Sequence, residues 1–240
     1  MACNGLGWQK FLSRKNVSRH RCEEDTFYFE STTSAHSMRL RKAEYRDLDS
    51  ISDVHIKSFP GFFLTLLGKR FLKEMYAGFL KFKSGVCIVL LSEQGDVIGF
   101  AAGATTPEIF FPKLRRKRAL YFAIFALPAL LRNSELVIKK LWAAVFYRGD
   151  RPDSLQGGAL LSSIGIDPLF KGQSLGKKLL DVFEDEAYAA GSPFVYLTTD
   201  QHGNDSVIGF YKKNGYDIES FFTQPGGRKM LRFMKIIKAS

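Results

Sequence analysis

What most constrains this chain is the way its apolar residues change period after Met38. Short continuous runs alternate with stretches of helical spacing, a pattern that demands mixed strands and helices and excludes a helix bundle or an all-β sandwich. Arg39 to Ala43 reads as a short strand. Asp47 to Ser58 follows as a helix, apolar at Leu48, Ile51, Val54 and Ile56, until Pro60 and Gly61 break it. From Phe62 to Phe82 the spacing is again helical, with Gly68 and Gly78 as interruptions. Val86 to Leu91 and Val97 to Ala104 flank Glu93-Gln94-Gly95-Asp96 and read as a hairpin. Later come a buried strand at Ala159 to Ile166, an amphipathic helix at Ser174 to Ala190, a strand at Phe194 to Thr199 and a short helix at Asn204 to Lys213. Tyr216 to Phe222 and Met230 to Ile237 close the chain as a pair around Pro225-Gly226-Gly227.

With 240 residues, 45% of them apolar, there is enough material for a sizeable core, so disorder and a disulfide-stapled miniature fold are excluded. The expected organisation is a poorly ordered tail over 1–37 and one domain over 38–238. Cys3, Cys22 and Cys87 have no paired spacing, and no CxxC or HExxH pattern occurs, so neither a disulfide framework nor a metal is expected. The N-terminus lacks the apolar run of a secretory signal, which points to the cytoplasm.

The net charge of +11 is concentrated in an insert at 107–154. Between Lys113 and Arg151 ten basic residues face only Glu135 and Asp150, a local balance of +8. Lys113, Arg115, Arg116, Lys117 and Arg118 precede thirteen uncharged residues, Ala119 to Leu131, and a second helical pattern runs on to Tyr147. Thirteen helical residues span about 20 Å, short of a bilayer core, and Pro128 interrupts them. Three roles stay open for the insert: a lid over an acceptor pocket, a peripheral contact of 113–132 with the inner, anionic membrane surface, or a homodimer contact. Nucleic acid is not expected, because the aromatics do not alternate with the basic residues.

The segment Ile164-Gly165-Ile166-Asp167-Pro168-Leu169-Phe170-Lys171-Gly172-Gln173-Ser174-Leu175-Gly176-Lys177 is a strand, a Gly-containing loop and a helix start. Such a junction aims unpaired backbone N–H groups and a helix dipole at one point and suits a pyrophosphate. It is neither a Walker loop nor a GxGxxG fingerprint. The stretch resembles the acyl-CoA-binding motif of the GNAT acetyltransferase superfamily, (Gln/Arg)xxGx(Gly/Ala) after a strand ending in apolar-x-Pro. Ile166-Asp167-Pro168 and Gly176 match, whereas Lys171 stands for Gln or Arg and Ser174 for the middle Gly. Ser174 keeps an N–H and adds a hydroxyl, so the binding chemistry survives provided the turn needs no positive φ there. A second segment, Asn204 to Tyr216, resembles the family's Asn-x-x-(Ala)-x-x-(Phe)-Tyr-x-x-x-Gly-Phe pattern.

The resemblance covers roughly 38–106 and 155–238. It implies an α/β (mixed α+β) fold whose central sheet splays open at the motif strand, with helices on its flanks and the insert between strands 3 and 4. It implies acetyl-CoA as co-substrate, held by Ile164, Gly165, Ile166, Lys171, Gly172, Gln173, Ser174, Leu175, Gly176, Lys177, Asn204 and Tyr211. By the same resemblance Tyr211 is the general acid. The base is not legible, since Leu160 to Ile166 carries no Glu or His, only Ser162 and Ser163; Asp200 and His202 are the candidates. His55 reads as structural. The expected activity is direct acetyl transfer to a small amine, with an amino sugar or nucleotide-linked amino sugar as the acceptor that charge favours. Acetylation of protein or peptide amines, and a non-catalytic acyl-CoA-binding domain at a membrane, are the alternatives.

Overall fold

A computed structural model of the chain describes residues 38–132, 153–224 and 227–238. The tail 1–37, the second half of the insert at 133–152 and the Pro225-Gly226 tip of the closing turn lie outside the described residues.

Seven strands, β1 (Arg39–Lys42), β2 (Gly85–Leu91), β3 (Val97–Ala104), β4 (Ala159–Ile166), β5 (Phe194–Asp200), β6 (Asp217–Thr223) and β7 (Lys229–Ile236), make one mixed sheet in the order β1-β2-β3-β4-β5-β7-β6. Only β4 and β5 run parallel. Alternate residues of the strands feed two cores, as period-two side chains must. On one face Cys87, Val89, Leu91, Phe100 and Ala102 pack under α1 (Leu48–Ser58), α3 (Lys69–Lys81) and α4 (Pro107–Arg132). On the other, Ile88, Leu90, Ile98 and Ala101 pack under α5 (Leu175–Ala189), beside α6 (Asp205–Lys213). Burial pushes the Cys87 thiol up to about 12, so it is an inert core residue.

Two helical expectations needed revision, at Gly78 and at Pro128. The pattern over Phe62 to Phe82 divides at Gly68, whose φ of +90 separates a short α2 (Phe63–Leu66) from α3. Gly78 does not interrupt α3. Helix α4 packs directly over it, for a Cβ there would run into the Leu114 side chain. Helix α4 begins at Pro107 and runs 26 residues, through both Pro112 and Pro128. Each proline forfeits one backbone hydrogen bond, and burial of Phe110, Leu114, Ala126 and Ala129 outweighs the loss. Arg118 joins the packing by pairing with Glu74 on α3. No helix among the described residues is long and apolar enough to cross a membrane.

Candidate active site

The sheet comes apart between β4 and β5. Strand β4 pairs with β3 from Leu160 to Ile166, and β5 pairs with β7 along its whole length. Between them the parallel ladder holds only at Ala159–Val195 and Leu160–Tyr196. Beyond those two pairs the strands diverge into a wedge, and the edge of β4 that faces β5 is left for another extended chain to pair with.

A bulge sits where the wedge opens. The register between β3 and β4 slips so that Ser162 has no partner between Leu161 and Ser163. One extra residue reverses which face each later side chain meets. Leu161 packs with the α5 core, and so do Ile164 and Ile166. Gly165 turns toward α1, where a Cβ would lie 3.0 Å from both Phe100 and the Ser58 hydroxyl. The sequence signal for this bulge was the phase break Leu160-Leu161-Ser162-Ser163-Ile164, which a uniform buried strand does not explain.

After Ile166 the chain makes a 3-10 turn at Pro168–Phe170, nucleated by Asp167, whose carboxylate accepts the Leu169 N–H at 3.1 Å. Lys171, Gly172, Gln173 and Ser174 then form an exposed loop into α5. Gly172 has φ +85 and Ser174 has φ 57, so the turn does use the left-handed region at the position where serine replaces glycine. Serine accepts that conformation at a cost of about 1 kcal/mol. Its hydroxyl makes no cap to the helix. Leu175 and Gly176 therefore open α5 with N–H groups that have no helical acceptor, and Lys171, Lys177 and Lys178 lie close by in the chain, Lys177 paired with Asp181 at 2.6 Å. A Cβ on Gly176 would meet only the Phe210 ring of α6, at 3.4 Å, so α6 lies against the first turn of α5. Ser174→Gly should relieve the strain without losing a cap, partly offset by glycine's freedom in the unfolded chain; a gain of about 0.5 kcal/mol, read as a rise of ~1–2 °C in Tm, is expected.

The C-terminal end of α1 is bolted to the end of β4. Ser58 donates to the Ile166 carbonyl at 2.9 Å, and Lys57 meets Asp167 at 2.7 Å, which holds the Asp167 carboxyl below its usual range. One turn earlier His55 is 3% exposed, its Nδ1 2.6 Å from the Tyr76 hydroxyl and its ring beside Phe59 and Phe100. Burial drives its pKa down to about 4. The unfolded chain takes up that proton near 6.5 and the folded one only near 4, so acid favours unfolding between those values. Stability should fall by about 1.4 kcal/mol per pH unit below 6.5, measured by urea unfolding, and the slope should vanish in His55→Gln.

On the other arm of the wedge, Asp200 ends β5 and receives both Nε and Nη2 of Arg228 from the β6–β7 hairpin. The same guanidinium lies 5.5 Å over the Phe62 ring, from the loop between α1 and α2, and so links the two arms. His202 is exposed in the bend that follows. Asn204 donates to Thr199, fixing the start of α6 to β5. Tyr211, 6% exposed, faces the α5 core against Phe210, Tyr216 and Phe233, where burial raises its phenol well above the ordinary value. Asp200 and His202 thus follow one another at the end of β5, with Asp200 already engaged by Arg228, whereas Tyr211 is packed into the α5 core. Among the described residues no three His, Cys, Asp or Glu side chains gather as a metal cluster.

Residues 48–216 match the acetyltransferase (GNAT) family. No curated protein matches the chain in sequence. Among solved structures, the ribosomal-protein-S18-alanine N-acetyltransferase from Escherichia coli superposes with a TM-score of 0.52 at 14% identity, over 85% of this chain and 96% of that one. Naa20 from Chaetomium thermophilum, solved with a bisubstrate analogue, gives 0.50 at 16% identity, over 82% and 86%. The spermidine/spermine N-acetyltransferase SpeG from Vibrio cholerae gives 0.50 at 15%, over 83% and 95%. These likenesses are of fold.

Proposed function

Since the chain belongs to the acetyltransferase (GNAT) family, and is therefore an acyltransferase with acetyl-CoA as the usual donor, we propose that it acetylates the amine of a small acceptor by direct attack. The observation that carries this reading is the wedge beyond Leu160 and Tyr196, which opens beside the basic N-terminal loop of α5. The residues present fit acetyl-CoA. Backbone N–H groups of Leu175 and Gly176, with Lys171, Gly172, Gln173, Ser174 and Lys177, suit its pyrophosphate, and the free edge at Ile164, Gly165 and Ile166 suits the amide-bearing pantetheine arm. Bound there, it supplies a thioester carbon open to attack.

The chain's own groups would manage the protons. Tyr211 holds its proton at neutral pH and gives it to the departing sulfur as the new nitrogen–carbon bond forms and the carbon–sulfur bond breaks. His202, exposed at the mouth, takes the proton that the nitrogen loses; solvent then restores both side chains. Asp200 holds Arg228 across the mouth, and Asn204 sets α6 in place. The solved relatives act on amines as different as a protein alanine and a polyamine, so the choice of a small acceptor, amino sugars included, rests on the Arg228–Phe62 contact across the mouth. Titration calorimetry with acetyl-CoA, followed by thiol release across an amine panel that includes peptides, tests the reading. Micromolar binding with release only on small amines supports it; no binding overturns it.

A peripheral contact with anionic membrane belongs to the same proposal, because α4 is apolar on its outer face too. At 100° per residue, Lys113, Arg116, Lys117, Leu120, Ile124, Leu127 and Leu131 share one face, with Leu120 70% and Leu131 79% exposed. That face turns away from the sheet, which favours a surface anchor over a lid. Arg118 is committed to Glu74, so the test neutralises Lys113, Arg116 and Lys117. Co-sedimentation with anionic vesicles at low salt should be lost while the acceptor KM stays unchanged; a changed KM with vesicle binding intact would restore the lid.

A further inference from the structure

Beyond Tyr196, where the ladder to β4 ends, β5 lines the open side of the wedge. Val195 and Leu197 point into the α5 core, so Thr198 and Asp200 belong to the opposite face, the one that α1 covers on β3 and β4. Thr198 is exposed there. The β6–β7 hairpin sets Arg228 beside Asp200: the Arg228 carbonyl accepts the Gln224 N–H at 2.9 Å, and that of its neighbour Lys229 accepts the Gln201 N–H at 3.0 Å. On the other arm, Phe62 is carried by the loop that Ser58 ties to Ile166. The Phe59 carbonyl takes the Thr65 hydroxyl at 2.7 Å, and the Phe59 ring meets that of Phe62 edge to face at 5.6 Å.

Arg228 has more donors than its partner uses. Asp200 takes Nε–H and one N–H of Nη2, so three of the five guanidinium N–H bonds have no partner among the described residues. The Arg228 side chain is 45% exposed, which opens those donors to a ligand. Asp200 in turn receives two of the roughly four hydrogen bonds that a carboxylate can accept. Fixed at one edge by Asp200 and across one face by Phe62, 5.5 Å away, the guanidinium needs little ordering when a ligand arrives. Phe62 is itself 46% exposed and adds an apolar surface beside the polar pair.

Charge decides which ligand fits. Asp200 cancels the charge of Arg228, so a carboxylate or phosphate on the acceptor would surrender its water for little net attraction and would face the Asp200 oxygens. Arg232, another cation on this face, is buried over the Phe222 ring and already donates to Ser220 at 3.1 Å. A hydroxyl suits the pair better, for it accepts from Arg228 and donates to Asp200 at once. We propose that Arg228, Asp200 and Phe62 form the acceptor-recognition site and select a hydroxyl-rich ring, free of acidic groups, that bears the amine. Neighbouring hydroxyls span the Arg228–Asp200 pair, and the apolar side of the ring rests on Phe62. The inference rests on the acetyltransferase reading above and names its acceptor class. These are specificity-determining residues; the proton transfers stay with Tyr211 and His202.

Kinetics on the full chain with three ring amines test it: glucosamine, cyclohexylamine and aminocyclohexanecarboxylate, compared at equal concentrations of neutral amine. The wild type should favour glucosamine over each of the others by roughly 10- to 100-fold in kcat/KM, because a site with hydrogen bonds to give rejects a partner without hydroxyls, less severely when half-exposed than when buried. Arg228→Lys keeps the charge and loses the fork. It should bring that ratio close to one by raising the KM for glucosamine, with the acetyl-CoA Kd unchanged. Asp200→Asn should do the same, and the double variant should add nothing, because the two act as a pair. Exposed pairs contribute little to stability, so these variants should melt with the wild type. Preference for the carboxylated amine overturns the hydroxyl assignment, and equal use of all three, or an undiminished ratio in Arg228→Lys, removes the site. A fall in kcat with KM unchanged in Asp200→Asn would overturn the pairing and make Asp200 the base. If wild type binds acetyl-CoA but acetylates none of the three, the failure is that of the broader reading, recognisable before any variant is made.

Discussion

Tyr211→Phe is expected to lower kcat by roughly 10²–10⁴ while the Kd for acetyl-CoA and the melting temperature stay where they are. The separation is possible because the ring, not the hydroxyl, makes the packing against Phe210, Tyr216 and Phe233. A phenol raised above its ordinary pKa is a reluctant acid toward water. It becomes useful when negative charge develops on a sulfur beside it, since the low-dielectric surroundings that resist phenolate resist a thiolate as well. Single-turnover kinetics should place the loss in the chemical step. Turnover equal to wild type would leave Tyr211 as a core residue and nothing more.

Gly176→Asp should have the opposite profile, sparing the fold and removing the ligand. A Cβ at that position meets only the edge of Phe210 at ordinary contact distance, and a carboxylate at the N-terminus of α5 gains about 0.3–1 kcal/mol from the helix dipole. The same carboxylate then occupies the ground meant for the pyrophosphate. Two unit charges at about 4 Å repel by ~4 kcal/mol at an effective dielectric of 20, equivalent to a roughly 10³-fold weaker Kd. Calorimetry should therefore lose its binding signal in a protein that melts no lower than wild type. Gly176→Ala is the control, and should bind acetyl-CoA nearly as well as the parent. Retained affinity in the aspartate variant would remove the loop from the binding site.

How far the fold could be read in advance varied with what set each element. The hairpin around Gly95 and the strands at 159–166 and 194–200 are dictated by local apolar runs and turn residues, and their bounds differ little from expectation. Helix α4 was legible only in part. Its buried face is held by contacts with Gly78 and Glu74, far away in the chain, and these carry it through two prolines that local rules treat as breaks. The candidate binding loop was read from its glycines and lysines and from the family resemblance; serine in the place of the middle glycine raised the question of a positive φ, which only the traced backbone answers. His55 was read as structural, which its burial supports; its hydrogen bond with Tyr76 needs α1 and α3 brought together and has no linear signature. The same is true of Phe62 and Arg228, joined across 166 positions by a guanidinium over a ring.

The parting of β4 from β5 after two residue pairs has a thermodynamic consequence for the living cell. A sheet missing its middle strand is completed each time a ligand lies along the open edge, and any ligand that binds only the folded chain adds stability by mass action. At a free concentration of 100 times Kd the gain is about 2.7 kcal/mol, comparable to a disulfide. On the binding mode proposed above, the lifetime of this protein against unfolding and proteolysis would be tied to the supply of its own acetyl donor, so that a starved cell would hold less of the enzyme without any change in its synthesis.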